Sequence, residues 1–112
     1  MTASADALRA RVAGRSILVT GASSGIGEAL ANRLADAGAT VLLVARSAEK
    51  LDAMRLAIVE RGGRAFVYPA DLASAEDTQR LVDAVLADHD HVDILVNNAG
   101  MSIRRSVAKS YD

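Results

Sequence analysis

Apolar residues along this chain come in two alternating rhythms. Ser16 to Thr20 encloses the run Ile17-Leu18-Val19, which is too short for a helix and meets Gly21, so it predicts a buried strand. Ile26, Ala29, Leu30, Leu34 and Ala37 then recur at intervals of three and four, which predicts the inner stripe of a helix ending at Gly38. Thr40 to Ala45 is apolar throughout, as a strand covered on both faces must be. A second helix is expected next, capped by Ser47, buried through Leu51, Met54 and Ile58, and stopped at Gly62-Gly63. Ala65 to Tyr68 predicts a third strand, closed by Pro69, which cannot donate to a ladder. Ser74 with Asp77 three residues on has the form of a capping box, opening a third helix whose Leu81, Val82, Val85 and Leu86 are expected to face inward. Val92 to Val96 predicts the fourth strand.

Strands separated by helices of this length must pair in parallel through right-handed crossovers, giving an α/β fold with helices on both faces of one sheet. By analogy, the expected architecture is a Rossmann-type doubly wound parallel sheet of order 3-2-1-4, ending after the fourth strand. Ligands of such sheets bind beyond the carboxyl ends of the strands where the order reverses, here between the first and fourth strands. The glycines after Thr20 and the Asn97-Asn98-Ala99-Gly100 turn both fall at that crevice. A fourth strand apolar on both faces at the end of the order would leave an open edge, and such edges aggregate or recruit a partner.

Length and composition narrow this picture. With 112 residues, 51% of them apolar, the chain fits a single domain, with residues 1–13 as an N-terminal extension. Thirteen basic against fourteen acidic residues give a net charge of -1, which asks for neither nucleic acid nor an anionic membrane. The absence of cysteine excludes disulfides and a thiolate nucleophile and points to a reducing compartment. No apolar run approaches the roughly 18 residues that span a bilayer, and the first residues lack the apolar core of a signal peptide, so the cytoplasm is expected.

The segment Thr20-Gly21-Ala22-Ser23-Ser24-Gly25-Ile26-Gly27 carries the strongest chemical signal. A strand turning on glycines into a helix aims unsatisfied backbone N–H groups and the positive end of the helix dipole at one point, where an anion belongs. Its glycine spacing is not that of the common G-x-G-x-x-G fingerprint. It matches Thr-Gly-x-x-x-Gly-x-Gly at every fixed position and, with Asn97-Asn98-Ala99-Gly100, resembles the short-chain dehydrogenase/reductase family from about Gly14 to Gly100. The resemblance implies that Gly21, Ser23, Ser24, Gly25, Ile26 and Gly27 lie along the phosphates and adenine ribose of a nicotinamide dinucleotide. Packing in the core is the other reading of Ile26. It further implies that Asp71, followed by Leu72, accepts a hydrogen bond from the adenine amino group, and that Asn98, Ala99 and Gly100 line the ribose and hold the central strand. Asp71 could equally satisfy backbone N–H groups of its own loop.

The end of the second strand bears on which nicotinamide cofactor is used. An acidic residue there would accept the ribose hydroxyls of NAD and repel the extra phosphate of NADP. This chain has Arg46 followed by Ser47 instead, and a guanidinium makes paired, charge-assisted bonds to a phosphate. NADP is therefore expected over NAD, the alternative being that Arg46 is simply solvated. Asp88-His89-Asp90-His91 reads as a solvated loop in preference to a metal site. The Ser-Ile-Arg-Arg-Ser stretch containing Arg104 and Arg105 resembles that of reductases acting on fatty acyl chains.

The family's chemistry requires a tyrosine followed four residues later by a lysine that lowers its pKa, with a serine upstream. Tyr68 is followed at that spacing by Leu72, and Tyr111 has Lys109 before it, so neither makes the motif. No catalytic residue and no metal ligand is assigned. The expected identity is the amino-terminal part of an NADP-dependent short-chain oxidoreductase whose full-length form is a homo-oligomer acting on a carbonyl or alcohol. A non-catalytic NADP-binding module and a half-domain completed by a partner chain are the alternatives.

Overall fold

The computed structural model describes residues 3–98. Their elements run α1 (Ala3–Val12), β1 (Ser16–Thr20), α2 (Gly25–Asp36), β2 (Thr40–Ala45), α3 (Ala48–Glu60), β3 (Arg64–Pro69), α4 (Ala75–Asp88) and β4 (Ile94–Asn97). All four strands are parallel, in the order β3-β2-β1-β4. Leu18 lies opposite Leu42 on one side and Leu95 on the other, and Leu42 opposite Phe66.

Because successive strand residues point to opposite faces, the continuous apolar runs feed two separate cores. Ile17, Val19, Val41 and Leu43 pack with Leu34 of α2 and with Leu51, Met54 and Ile58 of α3. Leu18, Leu42, Val44 and Tyr68 pack with Val85 of α4 on the other face. The stripe expected for α3 is buried as drawn, and Ser47 caps the helix by accepting from the Lys50 N–H at 3.2 Å. Gly38 and Gly62 follow α2 and α3 with φ of 96° and 88°, the left-handed conformation that glycine adopts without penalty.

Within the N-terminal stretch, residues 3–12 form α1, which docks Val12 and Leu8 onto the first core while the Arg9 guanidinium donates to the Asp36 carbonyl at 2.9 Å. Three expectations need correction. Of the stripe expected for α2, Leu34 and Ala37 are buried and Leu30 packs on the core, while Ile26 and Ala29 stand outside and Gly27, Ala31 and Ala35 complete the inner face. Close approach to the glycine turn selects small residues there, which ranking positions by hydrophobicity overlooks. In α4 only Val85 is fully buried, while Val82 and Leu86 are exposed beside an apolar groove of about 530 Å³ shared with Leu95 of β4. Among the described residues, no element covers that groove. The fourth strand starts at Ile94, and Val92 packs on the second core from the preceding loop.

Candidate cofactor-binding site

Parallel strands deliver their carboxyl ends to one edge of the sheet, and there three loops surround a cleft of about 550 Å³. Gly21, Ser23 and Ser24 contribute from the turn after β1, Val44 to Ser47 and Lys50 from the start of α3, and Ala70 to Ala73 from the loop after β3. Its size is in the usual range for a small-molecule site, about 300–1,000 Å³.

The glycine turn is built by backbone geometry. Gly21 and Gly25 have φ of 62° and 54°. Gly27 is required for a different reason, since a Cβ there would lie 2.1 Å from the Gly21 carbonyl oxygen and 2.6 Å from Asn98 Nδ2. Asn98 Nδ2 donates to that same Gly21 carbonyl at 3.2 Å, and Thr20 Oγ1 donates to Asn97 Oδ1 at 3.0 Å. The asparagine pair thus ties the end of β4 to the turn after β1. Ser24 is the N-cap of α2 in an extended conformation, and its side chain makes no cap hydrogen bond. The first-turn N–H groups of α2 have no carbonyl of their own helix to meet, and together with the helix dipole they favour an anion. Ile26 is 64% exposed at this turn, which excludes the core-packing reading.

The far wall of the cleft is basic. Arg46 and Lys50 are both exposed, and among the described residues neither side chain makes an ion pair or hydrogen bond. Ser47 uses an oxygen lone pair for its cap, which leaves the hydroxyl hydrogen free to donate. Lys50 escaped the sequence reading. Its signal was local: a cation in the first turn of a helix, four residues after Arg46, opposes the helix dipole and calls for a compensating anion. A larger depression of about 710 Å³ between α2 and α3 shares Ser23 and Lys50 but also carries Glu28 and Asp36, so it offers an anion no consistent field.

Asp71 is exposed at the third wall, where its Oδ1 accepts from the Ala73 N–H at 3.0 Å. Leu72 is half-buried beside it and packs on the second core. Asp77 replaces the expected reciprocal capping box with a different arrangement. Ser74 Oγ accepts from the Asp77 N–H at 3.1 Å, but the Asp77 carboxylate reaches past Ser74 to the Asp71 N–H at 2.8 Å. Ala99 and Gly100 lie outside the described residues, as do Arg104, Arg105 and Tyr111.

The Asp88 to His91 stretch is only partly a solvated loop. Tyr68, just 8% exposed, donates its hydroxyl to Asp88 Oδ2 at 2.8 Å, and His89 Nε2 lies 2.9 Å from the Tyr68 hydroxyl oxygen, to which it serves as the donor. The His89 ring also stands edge-on to Phe66 at 4.7 Å. His91 pairs instead with Asp93 at 3.2 Å. Among the described residues, no group of three or more His, Cys, Asp or Glu is arranged to hold a metal ion. None of the described helices is long and apolar enough to cross a membrane.

A parallel sheet whose first strand turns on glycines into an uncapped helix, opposite unpaired cations, defines a nucleotide-binding α/β protein of the Rossmann type. The chain belongs to the short-chain dehydrogenase family, whose model matches residues 15–112. It is 50% identical over 104 residues to a fatty acyl-CoA reductase of Acinetobacter baylyi, covering 93% of this chain and 35% of that protein. Among solved structures, it is similar to a citronellol catabolism dehydrogenase of Pseudomonas aeruginosa, with a TM-score of 0.74 and 42% identity over 77% of this chain and 36% of that one. A metagenomic short-chain oxidoreductase in complex with NADP gives 0.71 and 42% over 75% and 38%. The chain therefore spans about a third of the length of these relatives.

Proposed function

We propose that this chain forms the NADP-binding part of a short-chain oxidoreductase that moves hydride between the cofactor and a carbonyl or alcohol, with a fatty acyl compound as the substrate class. The observation that carries the cofactor choice is the pair of unpaired cations, Arg46 and Lys50, on the wall of the cleft that faces the glycine turn. The fatty acyl-CoA reductase relative supports the substrate class. When bound, the reduced nicotinamide supplies the hydride; the residues described here bind and orient.

In this reading Gly21, Ser23, Ser24, Gly25 and Gly27 hold the pyrophosphate through backbone N–H groups and hydroxyls, and Ile26 covers the cofactor from its exposed position. Arg46, Lys50 and the Ser47 hydroxyl take the 2′-phosphate, since paired charged bonds to a phosphate favour the guanidinium. Asp71 accepts from the adenine amino group through Oδ2, with Leu72 beneath it. Asn98, Ala99 and Gly100 line the ribose. Tyr68, held by Asp88 and His89, does not line the cleft. No residue is assigned to proton transfer.

Residues 1–112 act in this reading as one cofactor-binding unit with α1 as its N-terminal extension, in the cytoplasm and within a homo-oligomeric enzyme. The exposed apolar groove of α4 and β4 also favours a unit completed by further polypeptide. Size exclusion tests this: a clean monomer of the chain counts against completion by a second copy.

Equilibrium binding of NADPH and NADH tests the cofactor assignment. The chain should prefer NADPH, and Arg46→Ala should weaken NADPH about 10- to 100-fold while changing NADH little, as expected for a charged hydrogen bond. Equal or tighter binding of NADH by the unaltered chain would refute it.

A further inference from the structure

Asp71 is fixed on three sides. Its carbonyl accepts from the Ser74 N–H at 3.0 Å, its Oδ1 from the Ala73 N–H at 3.0 Å, and its own N–H donates to Asp77 Oδ2 at 2.8 Å. The first two bonds stay within a four-residue turn, so they move with that turn. The turn joins α4 at its far end, where Ser74 Oγ accepts from the Asp77 N–H at 3.1 Å and the Ser74 carbonyl from the Thr78 N–H at 3.0 Å, but the third bond is the one that ties Asp71 itself to the body of the helix. In an ordinary capping box the N3 carboxylate would return to the N–H of the N-cap residue. Here the Ser74 N–H is already taken by Asp71, and the Asp77 carboxylate is directed three residues further back. Its second oxygen is held by the Arg80 guanidinium one turn along the helix. Among the described residues, Asp71 Oδ2 has no hydrogen bond, and Asp71 lines the cleft.

We infer that Asp77 is a positioning residue for the cofactor site, fixing the β3–α4 loop so that the free oxygen of Asp71 faces the cleft and distinguishes adenine from a purine lacking its amino group. The inference rests on the adenine role proposed for Asp71. The ionisation of Asp77 agrees with the geometry, since the Asp71 N–H and then the Arg80 guanidinium hold its carboxyl below the usual carboxylate range. An ionised acceptor makes the stronger, shorter bond that a positioning role requires.

Two measurements on the full chain separate the inference from the reading beneath it. Amide hydrogen exchange should show the Asp71 N–H protected in the unaltered chain and exchanging about tenfold faster in Asp77→Ala, with β1 and β2 amides unchanged; Asp77→Asn, which keeps an acceptor, should restore part of the protection. Binding should favour NADPH over its hypoxanthine analogue by about tenfold in the unaltered chain, the worth of one hydrogen bond to a charged group. That ratio should fall toward one in Asp77→Ala. Ser74→Ala, which weakens the helix cap without removing the Asp77 carboxylate, should lower thermal stability and leave the ratio intact. Unchanged Asp71 exchange, or an unchanged ratio in Asp77→Ala, overturns the inference. An unaltered chain that binds both cofactors equally, or neither, overturns the role of Asp71 and with it the discriminating half of the inference, while exchange still decides whether Asp77 holds the loop.

Discussion

Gly27→Ala adds one methyl group at the point where α2 leaves the glycine turn. The new carbon would lie 2.1 Å from the Gly21 carbonyl oxygen, closer than real Cβ atoms come, and 2.6 Å from Asn98 Nδ2. The first of these is backbone, so no side-chain rotation relieves it. Either the turn or the start of α2 must move, and the 3.2 Å bond from Asn98 to Gly21 is strained or lost. Overpacking of this kind costs about 1–3 kcal/mol. The hydrogen bond is worth about 1 kcal/mol, and the gain in helix propensity from glycine to alanine returns about the same amount. A net loss of about 1–3 kcal/mol is expected, which at urea slopes of about 1–3 kcal/mol/M lowers the midpoint by about 0.3–3 M. Gly25→Ala is the informative companion, because a Cβ there meets nothing within 4 Å and bears only the left-handed backbone cost of about 1–2 kcal/mol. The reasoning fails if Gly27→Ala unfolds at the same urea concentration as the unaltered chain or higher.

Burial first, then the Asp88 hydrogen bond and charge, push the Tyr68 phenol well above its usual value near 10. A raised acid pKa in the folded state contributes stability that is complete below about pH 10 and is lost as pH rises above it. In a Tyr111→Phe background, phenolate absorbance should stay absent through pH 10–11 until the protein unfolds, and reversible ionisation near pH 10 would contradict the buried pairing. The two faces of the sheet should also respond unequally to truncation. Ile58→Ala, fully buried in the first core on a helix that lies over β2 and β3, should cost about 2–5 kcal/mol by thermal unfolding. Leu86→Ala, 59% exposed, should cost under about 1 kcal/mol, and a loss as large as that of Ile58 would mean the groove is covered in solution.

Much of the fold was legible because parallel sheets bury their strands on both faces. The runs at Ile17 to Val19 and Thr40 to Ala45 read as interior strands, and the glycines after α2 and α3 marked the stops that the positive φ at Gly38 and Gly62 realises. The α3 stripe was legible too, since Leu51, Met54 and Ile58 are the large apolar residues of a helix that packs by ordinary hydrophobic contact. The α2 face was legible at Leu30, Leu34 and Ala37 but not at Gly27, Ala31 and Ala35, because those are chosen by how closely α2 approaches the glycine turn, and steric room is invisible to hydrophobicity. The inner face of α4 was overestimated for a related reason: the pattern shows which residues are apolar, not whether anything stands opposite them.

The sequence alone determined the family, the strand order by analogy and the positions of the glycine turn and Arg46, because these depend on local backbone demands and on spacing along the chain. Tertiary structure decided what those positions meet. It showed Arg46 and Lys50 facing one cleft without partners among the described residues, Asn98 bracing Gly21 across 77 positions, and the Asp77 carboxylate turned from its own helix cap to the Asp71 N–H. The Asn98–Gly21 bond joins segments that only the packed sheet brings together, and the nearer pairs depend on which way each side chain turns once its element is packed, which residue spacing does not record.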